Sequence, residues 1–133
     1  MEVERIDGRH SREDGHVRAR ANALADKSYS DDVYLIRPVA SVSEMVEESE
    51  RQHNCLATYV GKVAAGETDI WLMRRASDPD KSLVTVEVRD GAIRQAFRAC
   101  NEVPSGKELR WLSEWCGRVG YRTHHGRMRA LCA

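Results

Sequence analysis

Leu83-Val84-Thr85-Val86-Glu87-Val88-Arg89-Asp90-Gly91-Ala92-Ile93-Arg94-Gln95-Ala96-Phe97 is the stretch that decides the fold class. Two runs rich in β-branched residues flank Asp90-Gly91, and an Asp-Gly pair suits the positive φ angles of a two-residue hairpin turn. A two-residue turn sets the pairing: Arg89 with Ala92, Val88 with Ile93, Glu87 with Arg94, Val86 with Gln95, Thr85 with Ala96, and Val84 with Phe97. Val84, Val86, Val88, Ile93 and Phe97 then share the core face, with Gln95 as its one polar member. Glu87 and Thr85 fall on the opposite face. A β-bulge would shift this register.

Upstream of the hairpin, Ser77-Asp78-Pro79-Asp80 has loop chemistry, and Asp69-Ile70-Trp71-Leu72-Met73-Arg74 reads as a strand. Before that the period is helical. Leu56, Tyr59, Val60 and Val63 form a stripe stopped by Gly66, with Asn54 placed to cap its start. Ser41-Val42-Ser43-Glu44 reads as a capping box opening a helix through residue 51. That helix shows Val42, Met45, Val46 and Ser49 inward and Glu47, Glu48 and Glu50 to water. Val33-Tyr34-Leu35-Ile36 is a short strand ended by Arg37-Pro38. Downstream, Ser105 and Glu108 open a last helix that carries Leu109, Trp111, Leu112, Trp115 and Cys116 and ends near Gly117 and Gly120.

These elements predict a compact α+β fold with a small, mostly antiparallel sheet of three to four strands packed against about three helices. The strands are Tyr34 to Ile36, Ile70 to Arg74, Leu83 to Arg89 and Ala92 to Ala99, and the helices are 41–51, 55–65 and 106–117. Residues 1–30, rich in Arg, Asp, Gly and His, read as a loosely ordered arm with at most one short helix near His16 to Lys27. Residues 31–120 form the single domain, and 121–133 a basic tail.

The chain of 133 residues is 41% hydrophobic and 32% charged, the composition of a water-soluble globule, and its formal net charge is zero. No apolar run approaches a membrane span, and the first residues show no secretory h-region, so a cytoplasmic location is expected. Cys55, Cys100, Cys116 and Cys132 are then expected to stay reduced. From Arg89 onward nine Lys/Arg face four Asp/Glu. This basic third suits either phosphates or the acidic helix of the chain itself.

The order of features resembles the PcfJ-like family over roughly 80 residues. It runs His53-x-Cys55-x-x-x-Tyr59, a strand ending in Arg74-Arg75, Thr85-x-Glu87, Gln95, Asn101 and a Trp-bearing helix. His and Cys are typically adjacent in that family, whereas Asn54 separates them here, which loosens the pair as a unit. The resemblance implies a phage or conjugative-plasmid setting rather than a particular reaction.

Several residues invite chemistry. His53 and Cys55 could form a base–thiolate pair, with Cys55 in the first turn of a helix whose dipole favours the anion. The alternative is a small packed cysteine beside a junction histidine. Glu87, oriented by the Gln95 and Asn101 amides, could serve a substrate, although the expected register puts Glu87 and Gln95 on opposite faces and counts against one site. Alternatively, Glu87 pairs with Arg94 across the hairpin. Tyr59, Arg74, Thr85 and Asn101 are further binding candidates. Arg94, Arg98, Lys107, Arg110, Arg118 and Arg122 could meet a nucleic acid, with Trp111, Trp115 or Tyr121 for stacking, or they could rim a core built on those tryptophans. No C-x-x-C or H-x-x-x-H spacing marks a metal site, and His124-His125 lies in the basic tail. No cofactor loop is present. The expected role is a non-catalytic accessory protein that engages a host or mobile-element protein, with nucleic acid as an alternative partner. A small Cys55/His53 enzyme acting on a nucleotide or acyl substrate is the catalytic alternative.

Overall fold

The computed structural model describes residues 8–123. Five strands, β1 (Tyr29–Ser30), β2 (Tyr34–Pro38), β3 (Asp69–Arg75), β4 (Val84–Arg89) and β5 (Ala92–Phe97), form one sheet in sequence order. Every neighbouring pair is antiparallel. This meander is one strand wider than expected, because the short β1 folds back onto Leu35 and Ile36.

The β4–β5 turn has the expected shape, with φ of +55° at Asp90 and +75° at Gly91. The register beyond it departs from the simple count. Val88 faces Ile93, but Glu87 faces Gln95, Val86 faces Ala96 and Thr85 faces Phe97. Arg94 is the extra residue of a bulge, and it projects into solvent. An ideal ladder would have opposed Arg94 to Glu87. The bulge instead delivers Gln95 to Glu87, so the two lie on one face.

Alternation along β3 feeds two cores. Trp71 and Met73 join Val84, Val86, Val88 and Ile93 against Trp111, Leu112, Trp115 and Cys116 of α4 (Gly106–Val119). Ile70 and Leu72 point the other way, where α1 (Gly8–Leu24), α2 (Val42–Gln52) and α3 (Val60–Ala64) contribute Val17, Val42, Met45, Val60 and Val63. A sheet with both faces covered explains why β3 is buried from Asp69 through Arg74. The tryptophans are core residues. Trp115 stacks edge-on with Trp71 at 4.9 Å and donates from its indole to the Lys27 carbonyl, while Trp111 donates to Asp31.

Three local features differ from expectation. The region read as a loose arm contains a helix of 17 residues, α1. Val17 is fully buried, Asp14 accepts from the Val42 amide at 2.9 Å, and Arg20 grips Asp69 with two hydrogen bonds. Few apolar residues are enough, because α1 is held at its polar contacts as well.

The Ser41 cap forms, with its hydroxyl accepting from the Glu44 amide, but Glu44 reaches instead to the Ala40 amide and the Arg37 guanidinium. The Ser105–Glu108 box forms in both directions. The second helical segment is shorter than 55–65. Leu56–Tyr59 is a 3₁₀ turn, and α3 starts only at Val60. The Asn54 side chain accepts from the Leu56 amide and closes a local turn, which delays the α-helix.

Candidate functional site

Helix α2 brings a row of polar residues against the sheet. Met45, Glu48, Ser49 and Gln52 recur at steps of three and four, so they share the inward face. Glu48 is 1% exposed and therefore points to the sheet rather than to water as first read. One oxygen accepts from Arg74 Nη2 at 2.9 Å, and the other from Ser82 Oγ at 3.0 Å and Thr85 Oγ1 at 2.9 Å. Arg74, 3% exposed, also donates to the Pro79 carbonyl, and Gln52 donates to Ser82. Each of the three donors replaces a water that burial takes from the carboxylate. The motif residues Arg74 and Thr85 thus serve to hold α2 and the β3–β4 loop on the sheet.

A second cluster lies on the same face of β4. Glu87 is 2% exposed and accepts from Thr68 Oγ1 at 2.5 Å, Gln95 Nε2 at 2.7 Å and Arg89 Nη2 at 3.2 Å. Ile70 of β3 is its cross-strand neighbour. The expected Glu87–Arg94 pair is absent, since the bulge sends Arg94 outward and Gln95 takes its place. Thr68 carries a role that its position just before the strand did not advertise.

Beside these clusters opens a surface cleft of about 580 Å³, walled by the C-terminal end of α2, the β3–β4 loop and the Ala99–Asn101 turn. Four cations line it, Arg51, Arg75, Lys81 and Arg98, with Asp80 and Glu102 as its acids and Leu83 as an apolar patch. Arg51 donates to the Asp80 carbonyl, and Arg98 stands 3.6 Å from Glu108. Arg75 and Lys81 have no carboxylate partner among the described residues. A smaller hollow of about 200 Å³ shares Arg51 and Asp80 with the cleft. Cys100 and Asn101 both have φ near +60° at the rim, a conformation that costs non-glycine residues of order 1–3 kcal/mol each. Sequence reading missed this cleft because its cations come from three separate segments.

The structure places His53 at the end of α2 and Cys55 just before the next turn. His53 is exposed, closes α2 with φ of +53°, and its ring makes no hydrogen bond among the described residues. Cys55 is disulfide-bonded, contrary to the expectation of reduced thiols, and it precedes a 3₁₀ turn instead of sitting in the first turn of an α-helix. Neither residue joins the Glu87–Gln95 cluster. Cys116 is buried, and burial pushes its thiol up to about 11. Tyr59 sits partly buried beside the α1–α3 core, under the Lys62 ammonium, and Asn101 is at the cleft rim.

The six basic candidates are dispersed. Arg98 lines the cleft, while Arg118 covers the Tyr29 ring at 4.5 Å and Lys107 the Tyr34 ring at 5.9 Å. Arg122 clamps the hairpin turn through the Asp90 carbonyl, and Arg94 and Arg110 are exposed elsewhere. His124, His125, Arg127, Arg129 and Cys132 lie outside the described residues. Among the described residues no three His, Cys, Asp or Glu side chains gather as a metal site, and no helix is long and apolar enough to cross a membrane.

Comparison with known proteins agrees with the motif order. The model of the family described as PcfJ-like protein matches residues 5–109. That range takes in α1 and the whole sheet as well as the polar clusters on its face. No curated protein and no solved structure matches the chain. With most of its length covered by that one match, the chain belongs to the PcfJ-like family.

Proposed function

We propose that this chain is a non-catalytic accessory protein of a phage or conjugative plasmid, one that engages a host or mobile-element macromolecule and could thereby counter host defence. The mobile-element setting follows from the associations of the PcfJ-like family. The observation that carries the non-catalytic part is internal engagement. Arg74, Thr85, Glu87 and Gln95, the polar residues of the family-like motifs, bond to one another or to Glu48 and Thr68 inside the protein, while Arg74 Nε and Gln95 Oε1 keep no partner among the described residues. Most of their donors and acceptors are thus turned to the fold. The motifs brace α2 and the hairpin, which leaves recognition to the exposed surface between them.

The test compares Thr85→Val and Gln95→Leu with the parent chain in two measurements. One is thermal stability, and the other is the biological output of the element, such as plasmid transfer frequency or phage yield. Lower stability is expected for both variants, with output restored wherever the variant is folded. A variant that remains as stable as the parent yet abolishes output would defeat the reading. Affinity capture from cells carrying the element should also enrich one specific macromolecule, and capture of none counts against it.

A further inference from the structure

We infer that the cleft between α2, the β3–β4 loop and the Ala99–Asn101 turn binds a nucleoside phosphate. Its cations supply the first half of the argument. Arg51, Arg75, Lys81 and Arg98 converge from three parts of the chain. Among the described residues the lining acids are Asp80 and Glu102, and Arg98 is further offset by Glu108 at 3.6 Å, which still leaves the cations in excess. Convergent guanidinium and ammonium groups match the oxygens of a phosphate, and Arg75 and Lys81 are not neutralised within the described chain.

Gln52 supplies the second half. It lines the cleft, is 1% exposed, and its Oε1 has no partner among the described residues, although its Nε2 is held by Ser82. Leaving a buried amide oxygen unmade is costly, so a ligand that brings an N–H or O–H to that oxygen is favoured. The Ser82 hydroxyl already donates to Glu48, which fixes the amide with its oxygen as the unpaired end.

A bare phosphate or pyrophosphate satisfies the cations but not Gln52, and it would also face Asp80 and Glu102. A nucleoside phosphate presents acceptors and donors together. Its phosphate meets the arginines and lysine, a base N–H or sugar hydroxyl reaches Gln52 or the two carboxylates, and Leu83 gives the sugar or base an apolar wall. About 580 Å³ is within the size range of small-ligand sites. The cleft would hold such a ligand whichever macromolecule the protein engages elsewhere.

The ligand has two sources, a free nucleotide or the exposed end of a single strand, and titration calorimetry on the full chain separates them. The probes are ATP, GTP, CTP and UTP, a short oligothymidylate, and inorganic pyrophosphate. Saturable binding of a nucleotide or of the oligonucleotide is expected, at least tenfold tighter than pyrophosphate. Tighter binding of the oligonucleotide identifies the strand, and equal or weaker binding identifies the free nucleotide. The double variant Arg75→Ala/Lys81→Ala removes exposed or unpaired cations and should keep the parent melting temperature while weakening binding at least tenfold. Gln52→Glu, which adds a negative charge at the unpaired oxygen, should weaken it further. Absence of binding by every nucleoside probe, binding indifferent to the double variant, or pyrophosphate binding as tightly as the nucleotides would each overturn the assignment.

Discussion

Glu48 shows how one residue can be misread from its neighbours. It lies in an acidic run and looks solvated, yet it is the acceptor on which Arg74, Ser82 and Thr85 converge. Removing one member of a buried ion pair strands the other, so Glu48→Ala should cost about 3–5 kcal/mol in denaturant unfolding. Glu48→Leu combined with Arg74→Met should recover much of that loss, because no buried charge is then left alone. A double variant as unstable as Glu48→Ala would show that the pair has a role beyond mutual neutralisation. The cysteines offer a second check at this scale. Cys100 is exposed and Cys116 buried with a raised thiol, so a thiol reagent at neutral pH should label Cys100 in the native protein and reach Cys116 only on unfolding. Equal labelling rates would contradict the packing of α4.

Among the elements, the start of α2 and the hairpin are the most testable. Burial works against ionisation of Glu44, but the Arg37 guanidinium and the Ala40 amide outweigh it and hold its carboxyl below the usual range. Asp31 is lowered too, chiefly by the Tyr34 amide and then by the Trp111 indole. A carboxylate with a depressed folded-state pKa contributes stability that is present above its unfolded value, near 4, and is lost as pH falls through the folded value. Melting temperature should therefore fall as pH drops below about 4. Glu44→Gln with Asp31→Asn should flatten that acid limb, and an unchanged limb would assign it to other groups. In the hairpin, Gln95→Leu deprives Glu87 of a donor and should cost about 1–3 kcal/mol. Gly91→Ala at φ +75° should destabilise through backbone strain without altering the Glu87 cluster.

At the scale of the whole molecule, the sheet is a wall between two cores, and α1 belongs to one of them. Val17 is fully buried among Val42, Met45 and Val63, so Val17→Ala should cost about 2 kcal/mol. Trp115→Ala on the other side should cost about 3–5 kcal/mol. Both should unfold in a single transition if the cores are one cooperative unit, and two separate transitions would make α1 an appended arm after all.

What the amino-acid sequence determined by itself was local. Asp90-Gly91 dictated a turn that needs two positive φ angles, the alternation through β3 and β4 dictated strands, and Ser105 with Glu108 dictated where α4 starts. These depend on neighbours in the chain, which a sequence displays. The tertiary structure alone decided the bulge at Arg94, the burial of Glu48 and the recruitment of α1. It also decided the gathering of Arg51, Arg75, Lys81 and Arg98 around one cleft. Each of those is set by a partner tens of residues away, where desolvation, charge and packing compete, and no local pattern records which of them wins.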